Sequence, residues 1–230
     1  MDGQTVVVTG ASRGIGRAVA LEFATAGADV VLCARDRSGL EATAEAIDEQ
    51  GGSVTYRRAD VRDEFDIEYL MEKAATVGGE IDGVVANAGV YHGEAGNTPL
   101  DTESYSAFDD HVQTNARGVF VTFREALPHL SDDARLLVTS GAVARKTAPG
   151  YGSYAVSKAA AEAVARGFAA DSGYEVCVVD PGVVETDLTG SDGHDPETVA
   201  EQFRWTLEEA PPEYFDGSVV DRRTFRSESR

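Results

Sequence analysis

A chain of 230 residues, 42% of them hydrophobic, fits one α/β domain with a sizeable core and is short for two domains. Its 40 Asp and Glu against 20 Lys and Arg give a formal net charge of -20, which argues against nucleic-acid binding. No apolar run approaches a membrane span, and Met1-Asp2-Gly3-Gln4 carries no basic leader, so a soluble cytoplasmic protein is expected.

Strand-like apolar runs alternate with helical spacing along the chain. Thr5–Thr9 is a strand, Arg17–Ala26 a helix closed by Gly27, and Asp29–Ala34 a second strand. A helix from about Ser38 to Gln50 stops at Gly51-Gly52. Val54–Arg58, Gly83–Ala86, Arg135–Thr139 and Glu175–Val179 continue the strands, with Ser218–Val220 a short seventh. Strands separated by helices predict right-handed βαβ units and a parallel sheet in a single domain. Thr189–Pro196 is the loosest segment, rich in Gly, Ser and Asp. Cys33 and Cys177 fall inside predicted buried strands and read as small core residues rather than a disulfide or metal site. His92, His111, His129 and His194 lack metal-ligand spacing and read as solvated or loop residues, with His92 a weak pocket candidate. No metal is expected.

Several motifs carry chemistry. Thr9-Gly10-Ala11-Ser12-Arg13-Gly14-Ile15-Gly16 follows the first strand and precedes a helix. Glycines there permit a tight turn and close approach to a pyrophosphate, which the helix N-terminus would attract. A turn without a ligand is the plainer reading, and the strand–turn–helix context argues against it. Asn87-Ala88-Gly89 ends the fourth strand, Asn115 and Ser140 follow, and then come Tyr154-Ala155-Val156-Ser157-Lys158 and Pro181-Gly182-Val183-Val184-Glu185-Thr186. Tyr154 and Lys158, four apart on a helix, share a face. An ammonium beside the phenol would favour phenolate and lower its pKa.

In this order and in a chain of this length, the motifs resemble the short-chain dehydrogenase/reductase family over nearly the whole sequence. The resemblance implies a Rossmann-like doubly wound α/β fold with sheet order 3-2-1-4-5-6-7 and helices on both faces. It implies reversible reduction of a ketone or aldehyde, with Tyr154 as acid/base, Lys158 tuning it and holding the nicotinamide ribose, and Asn115 kinking its helix to hold a water in a proton relay. It places the dinucleotide against Gly10, Ser12, Arg13, Gly14, Ile15 and Gly16. Further along, Asp60 and Val61 would meet the adenine, and Asn87, Ala88 and Gly89 the nicotinamide ribose. Pro181, Gly182, Val184 and Thr186 would reach the carboxamide or pyrophosphate. Asp60 also reads as a helix N-cap. A substrate flap is expected near 187–210, and a homodimer or homotetramer is implied.

Two features qualify the resemblance. The acid usual for NAD at the end of the second strand is replaced by Ala34, with Arg35 next and Arg13 nearby, which favours NADP(H), though NAD(H) stays open with Asp36 close by. The family's serine usually lies thirteen residues before the tyrosine, where this chain has Gly141, while Ser140 lies fourteen before. Ser140 is expected to bond the substrate oxygen, with a one-residue insertion in 142–148 restoring the alignment. The alternative is that Gly141 replaces the serine and chemistry is impaired, as in a cofactor-binding regulatory protein. Val143, Ala144, Tyr151, Val184 and Leu188 suggest a partly apolar substrate pocket. Trp205 is expected to pack the helix after the flap. Only Lys73, Lys146 and Lys158 are lysines. That scarcity beside abundant acid is similar to proteins of halophilic archaea, for which a high-salt cytosol screens self-repulsion.

Overall fold

The computed structural model describes every residue except Asp187, Thr189, Ser191, Asp192 and Arg230. Among the described residues one parallel sheet has seven strands: β1 Thr5–Thr9, β2 Asp29–Ala34, β3 Ser53–Arg58, β4 Ile81–Ala86, β5 Leu130–Thr139, β6 Glu175–Asp180 and β7 Asp216–Asp221. Their order is β3-β2-β1-β4-β5-β6-β7, as expected. The helices are α1 Gly14–Thr25, α2 Arg37–Glu49, α3 Glu64–Gly78, α4 Tyr105–His111, α5 Gly118–Ala126, α6 Gly152–Asp171, α7 Pro196–Glu208 and α8 Arg222–Glu228. A π-helical stretch, Val112–Arg117, joins α4 to α5.

The central strands are apolar on both faces because helices cover both. Val6 and Val8 of β1 join Val19, Phe23 and Phe203 in one layer. Val7 faces the other way, among Ile67, Leu70 and Phe123. Sequence order reverses between β1 and β4, so the crevice that receives ligands in such sheets opens at the carboxyl ends of these two strands.

One expectation about local structure is corrected. Asp60 does not cap α3: Asp63 does, accepting from the Phe65 and Asp66 N–H groups. The Asp60 carboxylate instead accepts from the Arg62 amide at 3.0 Å and guanidinium at 2.6 Å. The flap expected near 187–210 falls partly outside the described residues, and from Pro196 onward it is helix α7, packed on α1. Asp195 starts that helix by accepting from the Glu197 N–H at 2.8 Å. Its Trp205 is 5% exposed and packs near Tyr214 and Phe225, as expected of a core residue.

Candidate active site

A cavity of about 650 Å³ opens at the carboxyl ends of the strands. At one end it is lined by Gly10, Ser12, Arg13, Gly14, Ile15 and Gly16, with Arg35, Asp60 and Val61 beyond. Asn87, Ala88 and Gly89 form its middle, opposite Pro181, Gly182, Val184 and Thr186. Ser140, Tyr154 and Lys158 stand at the far end. Thus all the sequence-predicted site residues border one space except Asn115.

The glycine loop passes as near its neighbours as bare backbone allows. A Cβ on Gly10 would lie 2.7 Å from the Ala88 Cα, and one on Gly16 would overlap the Gly10 carbonyl. Gly10 and Gly14 also take φ of 69° and 55°, which L side chains rarely adopt. No side-chain cap closes α1 at Arg13, so its first amides form a cradle suited to a pyrophosphate. The residues present therefore fit a dinucleotide. Asn87 fixes the floor: its Nδ2 donates to the Thr9 carbonyl at 3.0 Å, and its Oδ1 accepts from Thr139 Oγ1 at 3.2 Å. One carboxamide thus joins β1, β4 and β5. Asp36 also borders the cavity and accepts from Ser38 Oγ at 2.8 Å.

Lys158 is 6% exposed and its Nζ donates to the Thr139 carbonyl at 3.0 Å. Burial lowers its pKa to about 8, opposed by Glu162. Nζ lies 5.8 Å from the centroid of the Tyr154 ring. The expected depression of the Tyr154 pKa is not what the protein produces: burial, with Tyr91, Tyr151 and Asp180 adding to it, pushes the phenol up to about 12.

Ser140 has a partner that the sequence did not suggest. Its hydroxyl donates to Glu162 Oε1 at 2.7 Å, while the residue lines the cavity. Glu162 is 2% exposed. Arg145 bridges Glu162 to Asp180, and Asp180 Oδ1 accepts from the Gly182 N–H at 2.9 Å. A buried carboxylate needs such partners, and in this arrangement the Ser140 proton points to Glu162. Gly141, the next residue, borders the cavity without a side chain. Val143, Tyr151, Val184 and Leu188 line the cavity as expected, whereas Ala144 lines a separate depression.

Asn115 lies in the π-helical stretch, so the expected local irregularity is present. Its carboxamide is held from both sides. Oδ1 accepts from the Val90 N–H at 2.7 Å, and Nδ2 donates to the Val90 carbonyl and to Ser157 Oγ, each at 2.9 Å. The side chain thereby pins the loop after β4 to α6.

Sequence reasoning missed a second brace. His111, read as solvated, is fully buried, and its Nε2 accepts from the His92 N–H at 2.9 Å. The neutral ring, assigned from that bond, carries its proton on Nδ1, 2.6 Å from Ser153 Oγ and 3.4 Å from Glu103 Oε1. Burial holds its pKa below the ordinary 6.5. Glu103 Oε2 accepts from the Ser153 N–H at 2.6 Å. These groups fix the start of α6 one residue before Tyr154, and the His111 ring meets Tyr154 edge-on at 6.1 Å. No local motif marks them, because they lie 8 and 42 residues apart; only the mid-pattern His111 beside Asn115 offered a signal. His92 does not line the cavity but meets Asp110 at 2.7 Å.

A family model described as short chain dehydrogenase matches residues 4–197. The chain belongs to the short-chain dehydrogenase family. It is an oxidoreductase of that family, as its relatives also indicate. A tetrahydroxynaphthalene reductase of Pestalotiopsis fici is 35% identical over 194 residues, covering 81% of this chain and 68% of the relative. A versicolorin reductase of Emericella nidulans is 34% identical over 82% of this chain and 72% of its own. A short chain dehydrogenase of Burkholderia cenocepacia, solved with NADP, superposes with a TM-score of 0.85 at 27% identity, covering 96% of each chain. Among the described residues no helix is long and apolar enough to cross a membrane, and no cluster of groups could hold a metal ion.

Proposed function

We propose that this short-chain dehydrogenase reduces a ketone or aldehyde to an alcohol with NADP(H). The observation that carries the reading is one cavity bordered at one end by the glycine loop and at the other by Tyr154 and Lys158. When bound, the cofactor supplies the hydride. Gly10, Gly14, Gly16 and the start of α1 bind its pyrophosphate, and Lys158 holds its ribose. Tyr154 gives its proton to the substrate oxygen. The phenol, pushed up to about 12, holds that proton at neutral pH and has it to give in the reductive direction.

NADP(H) is favoured because Arg13 and Arg35 both border the cavity where Ala34 leaves no carboxylate. The solved relative with NADP points the same way. Asp36 borders the same space, which sustains an NAD-dependent alcohol dehydrogenase as a second reading. One reductase relative is named for tetrahydroxynaphthalene, a hydroxylated fused aromatic, so an aromatic carbonyl substrate is the first to try. Exposed Tyr105, Phe120 and Val156 on α4, α5 and α6 support a homodimer or homotetramer. The charge of -20 supports a cytoplasm of high salt, as in halophilic archaea.

The test is NADPH oxidation across a panel of ketones and aldehydes in molar KCl. Wild type is expected to turn over at least one. Tyr154→Phe should lose turnover while retaining NADPH affinity, because it removes one hydroxyl and keeps the ring. Equal activity in the variant and wild type would refute the assignment.

A further inference from the structure

The glycines around the cavity are of two kinds. Gly10 and Gly16 are enforced, because a Cβ there would strike backbone. Gly141 is not. Its φ of -159° and ψ of 164° are extended backbone open to any residue. A Cβ placed on it meets no atom within 4 Å, and the residue borders the same cavity as Tyr154. Nothing in the fold therefore requires glycine at this position, and its consequence is unfilled room in the cavity that Tyr154 lines.

The neighbouring residue lines the same cavity, but its hydroxyl is engaged. Ser140 is 6% exposed, and its hydroxyl is held by Glu162, which is in turn held by Arg145. Turning it inward would leave a buried carboxylate short of a hydrogen bond. Val143, Leu188, Tyr151 and Tyr154 line the same cavity. Tyr91 backs both rings, stacked on Tyr151 at 6.3 Å and 4.6 Å from Tyr154. Its own hydroxyl is engaged, 2.7 Å from Thr98 Oγ1. Aromatic and aliphatic side chains of this kind can receive a fused aromatic ring in offset stacking.

We propose that Gly141 is the specificity-determining residue of this site, admitting the ring system of a bulky aromatic ketone to the space beside Tyr154. The inference rests on the reductase reading given above. Two consequences follow. A methyl group at position 141 obstructs the ring but leaves small ketones unhindered. A hydroxyl at position 141 adds a donor near the carbonyl, which small ketones can use and large ones cannot reach.

The experiment compares wild type, Gly141→Ala and Gly141→Ser on 2-tetralone and cyclohexanone with NADPH. Each variant is first checked for an unchanged thermal midpoint, as the extended backbone leads one to expect. Gly141→Ala should lower kcat/KM for 2-tetralone by about tenfold or more, chiefly through KM, while changing cyclohexanone by less than about threefold. Gly141→Ser should show the same loss on 2-tetralone and a gain in kcat on cyclohexanone of up to about tenfold. Calorimetric titration with 2-naphthol, which undergoes no reduction, reads the same space without turnover, and Gly141→Ala should weaken it by about tenfold. An unchanged 2-tetralone to cyclohexanone ratio, or equal 2-naphthol affinity in wild type and Gly141→Ala, overturns the proposal. Weakened 2-naphthol binding in a protein that reduces no carbonyl supports the space assigned to Gly141 and overturns the reductase reading alone.

Discussion

Lys158 offers a test of what the site costs the fold. A buried ammonium is destabilised relative to water, and its pKa falls from 10.5 in the free side chain to about 8 in the protein. The unfolded chain thus holds the Lys158 proton to higher pH than the folded chain does. Folding with the charge is disfavoured by about 3 kcal/mol below the folded pKa, and that penalty fades as pH rises toward the unfolded pKa. Lys158→Met removes the penalty, together with the bond from Nζ to the Thr139 carbonyl. The lost bond and altered packing change stability by a nearly constant amount, so the informative quantity is how the difference between variant and wild type moves with pH. The advantage of the variant should shrink by about 2 kcal/mol between pH 6.5 and pH 9.5.

Urea unfolding at the two pH values and one ionic strength measures this directly. The slopes with urea should match between variant and wild type, so that midpoints report stability. A difference that stays constant from pH 6.5 to 9.5 would refute the reasoning, and it would mean that Lys158 keeps its ordinary pKa through contacts with Glu162. NADPH affinity of the same variant should fall, because the residue that strains the fold is the one proposed to hold the ribose.

Two further outcomes are expected. Arg35→Ala should weaken NADPH by about 10–100-fold and NADH by less than about threefold, since a charge-assisted bond to the 2′-phosphate exists only in the former; equal losses in fluorescence titrations of both cofactors would refute the preference. Moving from low salt to molar KCl should raise the thermal midpoint by about 2–8 °C, equivalent to screening ~1–2 kcal/mol of repulsion, with sucrose as the non-ionic control. A midpoint that is flat or falls with KCl would return the acidity to ordinary solubility.

The sequence is most legible where period and punctuation agree. β1 and β2 were readable to the residue because apolar runs end at Gly10 and begin after Gly27, where the backbone takes φ of 69° and 96°. β5 was read as starting at Arg135, but pairing begins at Leu130. Ser131, Asp132 and Asp133 look like a turn, yet the sheet carries them at its margin, where water solvates them. Helix α7 is legible because Asp195-Pro196 is a sound helix start and Val199, Ala200, Phe203 and Leu207 recur at helical spacing. The cavity border was legible because its residues cluster at strand ends, whereas the partners behind it were not.

Helix α6 shows why. Its buried face carries Ser153, Ser157, Lys158 and Glu162, with Ala161 and Ala165 among its apolar contributions. Such a face would be disfavoured in an isolated amphipathic helix, since each polar group must lose water. Every one finds a partner from another segment: Ser153 from α4 through His111, Ser157 from Asn115, Lys158 from Thr139 of β5, and Glu162 from Ser140 and Arg145. The partners are 19 to 42 residues away for the first three, a separation at which no local spacing rule operates. Tyr154 and Lys158 are recognisable because their chemistry requires them four apart. The partner of Ser140 is hidden for the same reason: its sequence distance from Tyr154 says nothing about Glu162, one further turn along the helix from Lys158. A carboxylate at that turn engages the Ser140 hydroxyl, and the bare Gly141 beside it is left to shape what Tyr154 can meet.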